Sequence, residues 1–167
     1  MAGFGEPGAT PVEAAGLRVG VVAARWHGDL TDHMTERAVE AARACNAADV
    51  VVARVAGSVE LPVVAQALAR RCDVVVALGV VVRGATAHFD YVCRSVTDGL
   101  TRVALDTGKP VAHGVLTVDS IEQARDRAGF PDSAEDKGWS ATIAALEAAL
   151  AIRTADRPVS GPVGFAR

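Results

Sequence analysis

The chain has 167 residues, a formal net charge of −3 at pH 7, 50% hydrophobic residues and only 4% aromatic residues. This length is enough for one domain with a real core, and the lack of a basic stripe argues against a nucleic-acid-binding protein. No apolar run long enough to span a bilayer and no secretory leader pattern is present, so neither a membrane protein nor a secreted protein is expected.

The cysteines indicate a compartment. Cys45, Cys72 and Cys93 are odd in number and show no CxxC spacing. They are predicted to be reduced, buried thiols, because disulfides persist mainly in oxidising compartments. We therefore expect a cytoplasmic protein.

Composition divides the chain into three segments. Residues 1–16 are rich in Gly, Pro and Ala and are predicted to form a flexible arm. Residues 154–167, with two prolines and two glycines, are predicted to form a disordered tail. The folded domain is expected between them, over residues 17–153.

Four short apolar segments are predicted to be strands. They cover residues 18–23, 49–55, 74–82 and 111–116. The third is the most informative, because its apolar run is interrupted only by Gly79. A strand that is apolar on both faces suits the middle of a parallel sheet with helices on each side.

Helical patterns alternate with these strands. Asp29 or Thr31 is predicted to cap a first helix that ends near Cys45, and Pro62 suits the first turn of a second helix that ends near Arg71. The other helices are predicted over residues 88–106, from Thr117 or Ser120 to Ala128, and from Asp136 to about Arg153. This alternation indicates an α/β fold, a flavodoxin-like three-layer sandwich with a four-stranded parallel sheet and helices on both faces.

Distinctive residues follow several strands, at the edge where open parallel sheets bind ligands. Trp26 follows the first strand, where an indole either covers the core or stacks on a ligand. The turn 57–60 follows the second strand and is either a solvated loop or a set of polar ligand contacts. After the third strand, the small residues Gly84, Ala85 and Thr86 suit the approach of an anion to a helix N-terminus. They match neither GxGxxG nor the P-loop pattern, so nucleotide binding is not supported.

Histidines and arginines are the remaining candidates. His88 starts the third helix and is either a structural histidine or a proton-transfer residue. The four histidines, at positions 27, 33, 88 and 113, lack zinc-type spacing, so no metal site is predicted. Arg125 and Arg127 lie near the end of a short helix, where an arginine either balances the helix dipole or clamps a phosphate.

Six segments of the chain together resemble the 6,7-dimethyl-8-ribityllumazine synthase family, in the family's order and spacing. They are Arg25-Trp26, Gly57–Pro62, Gly79–Val92, Gly114–Thr117, Glu122–Gly129 and Lys137-Gly138. The third segment, GVVVRGATAHFDYV, is highly specific, and five further segments in register make chance a poor explanation.

The resemblance implies a transferase of riboflavin biosynthesis. It would condense 5-amino-6-(D-ribitylamino)uracil with 3,4-dihydroxy-2-butanone 4-phosphate to give 6,7-dimethyl-8-ribityllumazine, phosphate and water, the penultimate step of the pathway. No metal and no organic cofactor are implied. A Schiff base, elimination of phosphate and ring closure need repeated proton transfer, and an imidazole with an ordinary pKa of about 6.5 suits that work. By this resemblance His88 is the proton-transfer residue.

The resemblance also implies substrate contacts. Ala85 and Thr86 would bind the phosphate-bearing substrate, and Arg127 its phosphate, with Lys137 as a second anion-binding candidate. Trp26 would stack on the pyrimidine. The remaining contacts to the ribitylaminouracil would come from Ser58, Val59, Glu60, Val80, Val81 and Val82.

The resemblance further implies a homo-pentamer whose active sites are shared between adjacent subunits. The residue at position 113 and Arg127 would reach in from the neighbour. The connection 129–138 resembles the longer version found in free pentamers, so a pentamer is expected rather than an icosahedral shell.

One position departs from the family pattern, which leaves alternative functions open. Family members usually carry Phe or Asn where this chain has His113. The alternative is a divergent paralogue that binds a flavin or lumazine or uses an altered pyrimidine. A purely structural assembly protein is disfavoured, because a scaffold has no need for His88, Thr86 and Arg127 together.

Overall fold

Within residues 8–156, which are the part of the chain that the computed structural model describes, the strands form one sheet. The strands are β1 (Arg18–Ala24), β2 (Asp49–Val55), β3 (Val74–Val82) and β4 (Val111–Val118). All pairings are parallel, in the order β2-β1-β3-β4. The predicted four-stranded parallel sheet is confirmed, and β3 lies inside it, as its two-sided apolar run predicted.

Helices cover both faces of this sheet. They are α1 (Gly28–Ala44), α2 (Leu61–Ala69), α3 (His88–Thr107), α4 (Ile121–Arg125) and α5 (Lys137–Ala155), with one turn of 3₁₀ helix over Ser58–Glu60. α1, α4 and α5 pack on one face, and α2 and α3 pack on the other. The predicted flavodoxin-like three-layer sandwich is therefore confirmed. In this part of the chain no helix has the length and apolar character needed to cross a membrane.

The alternation of side chains along the strands divides the apolar core into two parts. Along β1, Val19, Val21 and Ala23 face α1 and α5, whereas Val22 and Ala24 face α2 and α3. Full burial of one valine contributes roughly 1.5–3 kcal/mol. Because both faces are packed in this way, the sheet holds the carboxyl ends of its strands in fixed positions.

The start of α1 differs from the prediction. The helix begins at Gly28, so Asp29 lies in its first turn and Thr31 is buried within it. The Thr31 hydroxyl donates back to the His27 carbonyl (3.4 Å) instead of capping the helix. His27 occupies the N-cap position with a left-handed backbone (φ 56°), which is uncommon for a residue other than glycine. A sharp backbone turn, and not a capping side chain, therefore joins β1 to α1.

The remaining helix starts follow the sequence more closely. Ser120 and Asp136 cap α4 and α5 with side-chain oxygens that accept backbone N–H groups (3.3 and 2.9 Å). Of the two predicted starts of α4, Thr117 lies inside β4, and α4 ends at Arg125, before the predicted end at Ala128. The predicted bounds of β2 and β3 match the structure, and the other predicted bounds differ from it by at most two residues, which is within the usual scatter of such assignments.

Part of the predicted N-terminal arm lies against the domain. Ala14 is buried, and its N–H donates to the Cys45 carbonyl (2.8 Å). The Trp139 indole N–H donates to the Ala9 carbonyl (2.8 Å). The rest of the predicted arm, residues 1–7, and most of the predicted tail, residues 157–167, lie outside the described residues.

Candidate functional site

A cleft of about 450 Å³ opens at the carboxyl ends of β1, β2 and β3. β1 lies between β2 and β3, so the chain crosses to opposite sides of β1, and open parallel sheets bind ligands at such a switch point. The residues predicted from the sequence that line this cleft are Trp26, Ser58, Val59, Glu60, Val80, Val81, Val82, Thr86 and His88. The structure therefore brings most of the predicted site together in one chain.

Trp26 forms one wall of the cleft. Its side chain is 69% exposed, although large apolar rings are normally buried in a core. The His27 ring lies 6.4 Å away in an edge-on arrangement and lines the same cleft. An exposed indole beside a cleft offers a face on which a planar heterocycle can stack.

The turn after β2 forms the rim next to Trp26, because a Cβ at Gly57 would lie 3.8 Å from the indole. Glu60 holds this turn together, because its carboxylate accepts the Gly57 N–H (2.8 Å). Ser58 is buried against β3, where a side chain at Gly79 would come within 2.7 Å of the Ser58 hydroxyl. Gly79 therefore interrupts the apolar run of β3 because the turn packs directly on the strand. Val59 stays exposed on the cleft.

The end of β3 and the start of α3 close the cleft. Val80, Val81 and Val82 lead into an exposed turn, and α3 begins at His88. No side chain caps α3. The Asp90 N–H donates to the Ala87 carbonyl (3.1 Å), whereas the N–H groups of His88 and Phe89 remain available to an anion. Ala85 lies between cleft-lining neighbours in the same turn and is exposed.

His113 lies away from the cleft. It sits in β4, the edge strand, in register with Ala77 of β3. Its Nε2 lies 3.0 Å from the Thr97 hydroxyl of α3. The residue is exposed, and partial desolvation by the atoms packed around it lowers the pKa of His113 below its ordinary value. A lowered pKa favours the neutral ring.

Arg127 and Lys137 also lie outside the cleft. With Glu135 they form what we call the cation cluster, between α4 and the start of α5. Arg127 Nε lies 3.4 Å from one Glu135 carboxylate oxygen, and Lys137 Nζ lies 3.8 Å from the other. Arg127 Nη1 also donates to the Gln123 carbonyl (2.9 Å). The second Glu135 oxygen is buried and accepts no hydrogen bond from the described residues.

The two regions differ in charge. Within residues 8–156, no lysine or arginine lines the cleft, and Glu60 is the one carboxylate that does. A bound phosphate group needs cationic or N–H donors, and the cleft of a single chain offers only the start of α3 for this. The same part of the chain contains no cluster of His, Cys, Asp and Glu that could hold a metal ion.

Several residues that line the cleft are not predicted from the sequence as ligand contacts. They are His27, Ala56, Phe89 and Val92. His27 was considered only as a zinc ligand, although its position directly after Trp26 on the same strand end was the signal that could have placed it here.

Comparison with known proteins gives consistent results. Residues 16–153 match the family described as 6,7-dimethyl-8-ribityllumazine synthase. The chain is 79% identical over 165 residues to the 6,7-dimethyl-8-ribityllumazine synthase of Salinispora arenicola, covering 99% of each chain. It is 61% identical to the protein of that name from Thermobifida fusca, over 92% of this chain and 89% of the relative. The protein of that name from Saccharopolyspora erythraea is 59% identical, over 92% and 93%.

Proposed function

The chain belongs to the 6,7-dimethyl-8-ribityllumazine synthase family, and we infer from this premise that it is a transferase that makes 6,7-dimethyl-8-ribityllumazine. The reaction condenses 5-amino-6-(D-ribitylamino)uracil with 3,4-dihydroxy-2-butanone 4-phosphate and releases phosphate and water. It is the penultimate step of riboflavin biosynthesis. The observation that carries this inference is the family match over residues 16–153, together with a cleft that gathers most of the predicted site residues.

We propose that the cleft binds the ribitylaminouracil. Trp26 stacks on the pyrimidine, because its exposed face borders the cleft. The ribityl chain and ring edges contact the turn after β2 and the end of β3. The residues proposed for these contacts are Ser58, Val59, Glu60, Val80, Val81 and Val82.

His88 is the proposed proton-transfer residue. Its imidazole is exposed at the start of α3 and lines the cleft, so it can reach a substrate there. The condensation removes water at the Schiff base, expels phosphate and closes a ring, and each step moves a proton. Ala85 and Thr86 bind the phosphate-bearing substrate in the turn before His88, where backbone N–H groups favour an anion.

The cations that complete the phosphate site come, in this proposal, from the neighbouring subunit. Within the described residues no arginine or lysine lines the cleft, whereas the cation cluster carries Arg127 and Lys137 on another part of the surface. Arg127 binds the phosphate of the neighbour's substrate, and Lys137 supports it. His113, on the edge strand, approaches the neighbour's heterocycle.

Homo-oligomeric assembly is supported by the family, and we propose that the oligomer is a pentamer. Large apolar side chains on the surface of two neighbouring helices are compatible with an assembly that covers them. Tyr91 and Leu105 on α3 are 74% and 78% exposed, and Val63 on α2 is 65% exposed. The connection 129–138 favours a free pentamer over a shell.

A cytoplasmic location stays a prediction. It is supported by Cys45, Cys72 and Cys93, which are all unpaired, because a reducing compartment keeps thiols in that state.

The family relatives do not favour the alternative of a divergent paralogue. The three compared relatives all carry the synthase name, and one is nearly identical in length and 79% identical in sequence. A flavin-binding or structural function has no comparable support.

Mixed oligomers test the reaction and the shared site together. The chain is assayed with both substrates by product absorbance, alone and as His88→Ala and Arg127→Ala variants. Both variants are expected to be slow when the phosphate-bearing substrate is well below its KM, so they are then co-expressed and the mixture is assayed under that condition. If each site combines His88 of one subunit with Arg127 of the next, random mixing restores about a quarter of the sites to the original composition.

The outcomes separate cleanly. Product formation by the unmodified protein supports the reaction, and its absence contradicts it. If the mixture forms product faster than either variant alone, the shared site is supported. If the mixture is as slow as the His88→Ala and Arg127→Ala variants, the site lies within one chain. Oligomer mass by light scattering on the same sample distinguishes a pentamer from a larger particle.

A further inference from the structure

Arg83 lies directly after β3 and makes three side-chain contacts. Its Nε donates to the Asp119 carboxylate (2.8 Å), and its Nη1 donates to the Asp90 carboxylate (3.2 Å). The guanidinium carbon also lies 4.1 Å from the centre of the Phe89 ring. A planar guanidinium can serve two carboxylates and an aromatic face at once, which a lysine ammonium cannot.

These contacts join three parts of the fold. Asp119 follows β4 directly, and the Arg83 backbone N–H donates to the Val118 carbonyl at the end of that strand (2.9 Å). Phe89 and Asp90 are the residues after His88 in the first turn of α3. Arg83 therefore connects the ends of β3 and β4 to the turn of helix that carries His88.

The start of α3 has little else to hold it. Ala87 is the N-cap residue and offers no side-chain hydrogen bond. The turn before it consists of small exposed residues, and no side chain in the described part of the chain hydrogen-bonds to residues 84–88. A turn of this kind is pre-organised only if neighbouring groups fix it.

We propose that Arg83 is a positioning residue for His88. By holding Asp90 and Phe89 against the ends of the sheet, its guanidinium fixes the first turn of α3 and so the place of the imidazole on the cleft. This inference rests on the proposed function of His88 in lumazine formation. Arg83 does not line the cleft, so its effect passes through the helix turn and not through contact with the substrate.

The contacts of Arg83 are exposed to solvent. This exposure distinguishes a role in positioning His88 from a role in folding stability. The side chains of Arg83, Asp90 and Asp119 are 48%, 64% and 69% exposed. Exposed ion pairs contribute little to folding stability. Loss of the guanidinium is therefore expected to change the rate far more than the melting temperature.

The test compares Arg83→Met with Arg102→Met in the full-length oligomer. Arg102 is a matched control, because it lies on α3, the helix that begins with His88, and it pairs with Asp106 (3.0 Å) near the other end of that helix. We expect Arg83→Met to lower kcat about 10–100-fold, because small misplacement of a catalytic group has effects of that size. KM for both substrates stays within about threefold, because substrate binding is retained. Arg83→Lys loses most of the same rate, and Arg102→Met keeps the original rate.

A double-variant cycle identifies the route of the effect. If Arg83 acts through His88, Arg83→Met changes kcat by less than about threefold in a His88→Ala background. The proposal is overturned if Arg83→Met lowers kcat equally in the unmodified protein and in the His88→Ala variant. It is also overturned if the single variant Arg83→Met keeps the kcat of the unmodified protein. If Arg83→Met does not assemble, Asp119→Asn replaces it, since the same mechanism requires a smaller fall in kcat that also depends on His88. An inactive unmodified protein contradicts the proposed function and this inference together, whereas an active one with an unaffected Arg83→Met contradicts only this inference.

Discussion

The cleft and the cation cluster are two parts of one predicted site, yet they lie apart in the structure. The cleft is built from residues that follow β1, β2 and β3, three adjacent strands whose ends meet at one edge of the sheet. The cation cluster is built from the segment between α4 and α5, which follows the edge strand β4. Residues that follow these three adjacent strands therefore converge within one chain, and residues beyond β4 do not.

The two regions also differ in how their charges are balanced. In the cleft, the Glu60 carboxylate accepts a hydrogen bond from the Gly57 N–H of its own turn. In the cation cluster, Arg127 and Lys137 both lie near Glu135, so the cations are partly neutralised before any phosphate arrives. We expect changes in the cleft to lower the rate of proton transfer and changes in the cation cluster to weaken binding of the phosphate substrate.

The largest effect is expected from His88→Ala. Removal of a general acid–base group lowers kcat about 10²–10⁴-fold, with little change in KM for either substrate. Steady-state product absorbance measures this, with the melting temperature as a control for folding. Turnover at the original rate would remove His88 from the mechanism and leave the cleft without its proposed proton carrier.

Arg127→Ala is expected to act on binding instead. A lost hydrogen bond to a charged group weakens binding by about 1.5–3 kcal/mol, or about 10–150-fold in KM for the phosphate-bearing substrate. Arg125→Ala is the matched control, because Arg125 is the last residue of α4, two positions before Arg127, but pairs with Asp132 and stacks on Phe130. If both variants raise KM equally, the change in KM comes from a disturbed segment after α4 and not from a lost phosphate contact.

Gly138→Ala tests the packing that joins the two regions. A Cβ at this position would lie 2.3 Å from the Met34 carbonyl oxygen of α1. Such overpacking costs roughly 1–3 kcal/mol of unfolding free energy. Denaturant unfolding measures this, and Ala144→Ser on the exposed side of α5 is expected to stay within about 0.5 kcal/mol of the original protein. A Gly138→Ala variant of unchanged stability would mean that α1 and α5 separate without cost.

The smallest effect is a pH dependence that involves His113. Burial lowers the pKa of His113 in the folded state, so the unfolded chain binds the proton more readily. The stability that the neutral ring contributes is complete above about pH 6.5 and is lost as the pH falls through the lower folded pKa. In His113→Phe, unfolding free energy is expected to vary less with pH below about pH 6.5. Identical pH profiles for the two proteins would show that the ring is as accessible to water as it is in the unfolded chain.

Much of the fold was predictable because its signals are local. β3 was assigned correctly since its two-sided apolar run has one meaning in a chain of alternating strands and helices. Ser120 and Asp136 cap their helices as side chains of their type do. The start of α1 was missed because a left-handed turn at His27 takes the place of a cap, and no sequence pattern announces such a turn in a residue other than glycine.

The cleft could be predicted from the residue pattern, whereas the role of the cation cluster could not. Trp26, Ser58 and His88 lie in the segments that follow β1, β2 and β3, so their meeting at one edge follows from the topology. Under the proposed arrangement, Arg127 contributes through a surface that faces another subunit. Spacing along one chain contains no information about that geometry, which is why the resemblance and not the residue pattern assigned its role.

The glycine at position 138 has a consequence for any ring of these subunits. With no side chain there, the first turn of α5 lies directly on the backbone of α1, whose own first residue follows the wall made by Trp26 and His27. The cleft and the cation cluster of a subunit are therefore joined through directly packed helices. Under the proposed arrangement, a tilt of one subunit moves its own cleft and, by the same angle, the cation cluster that completes the cleft of the next subunit.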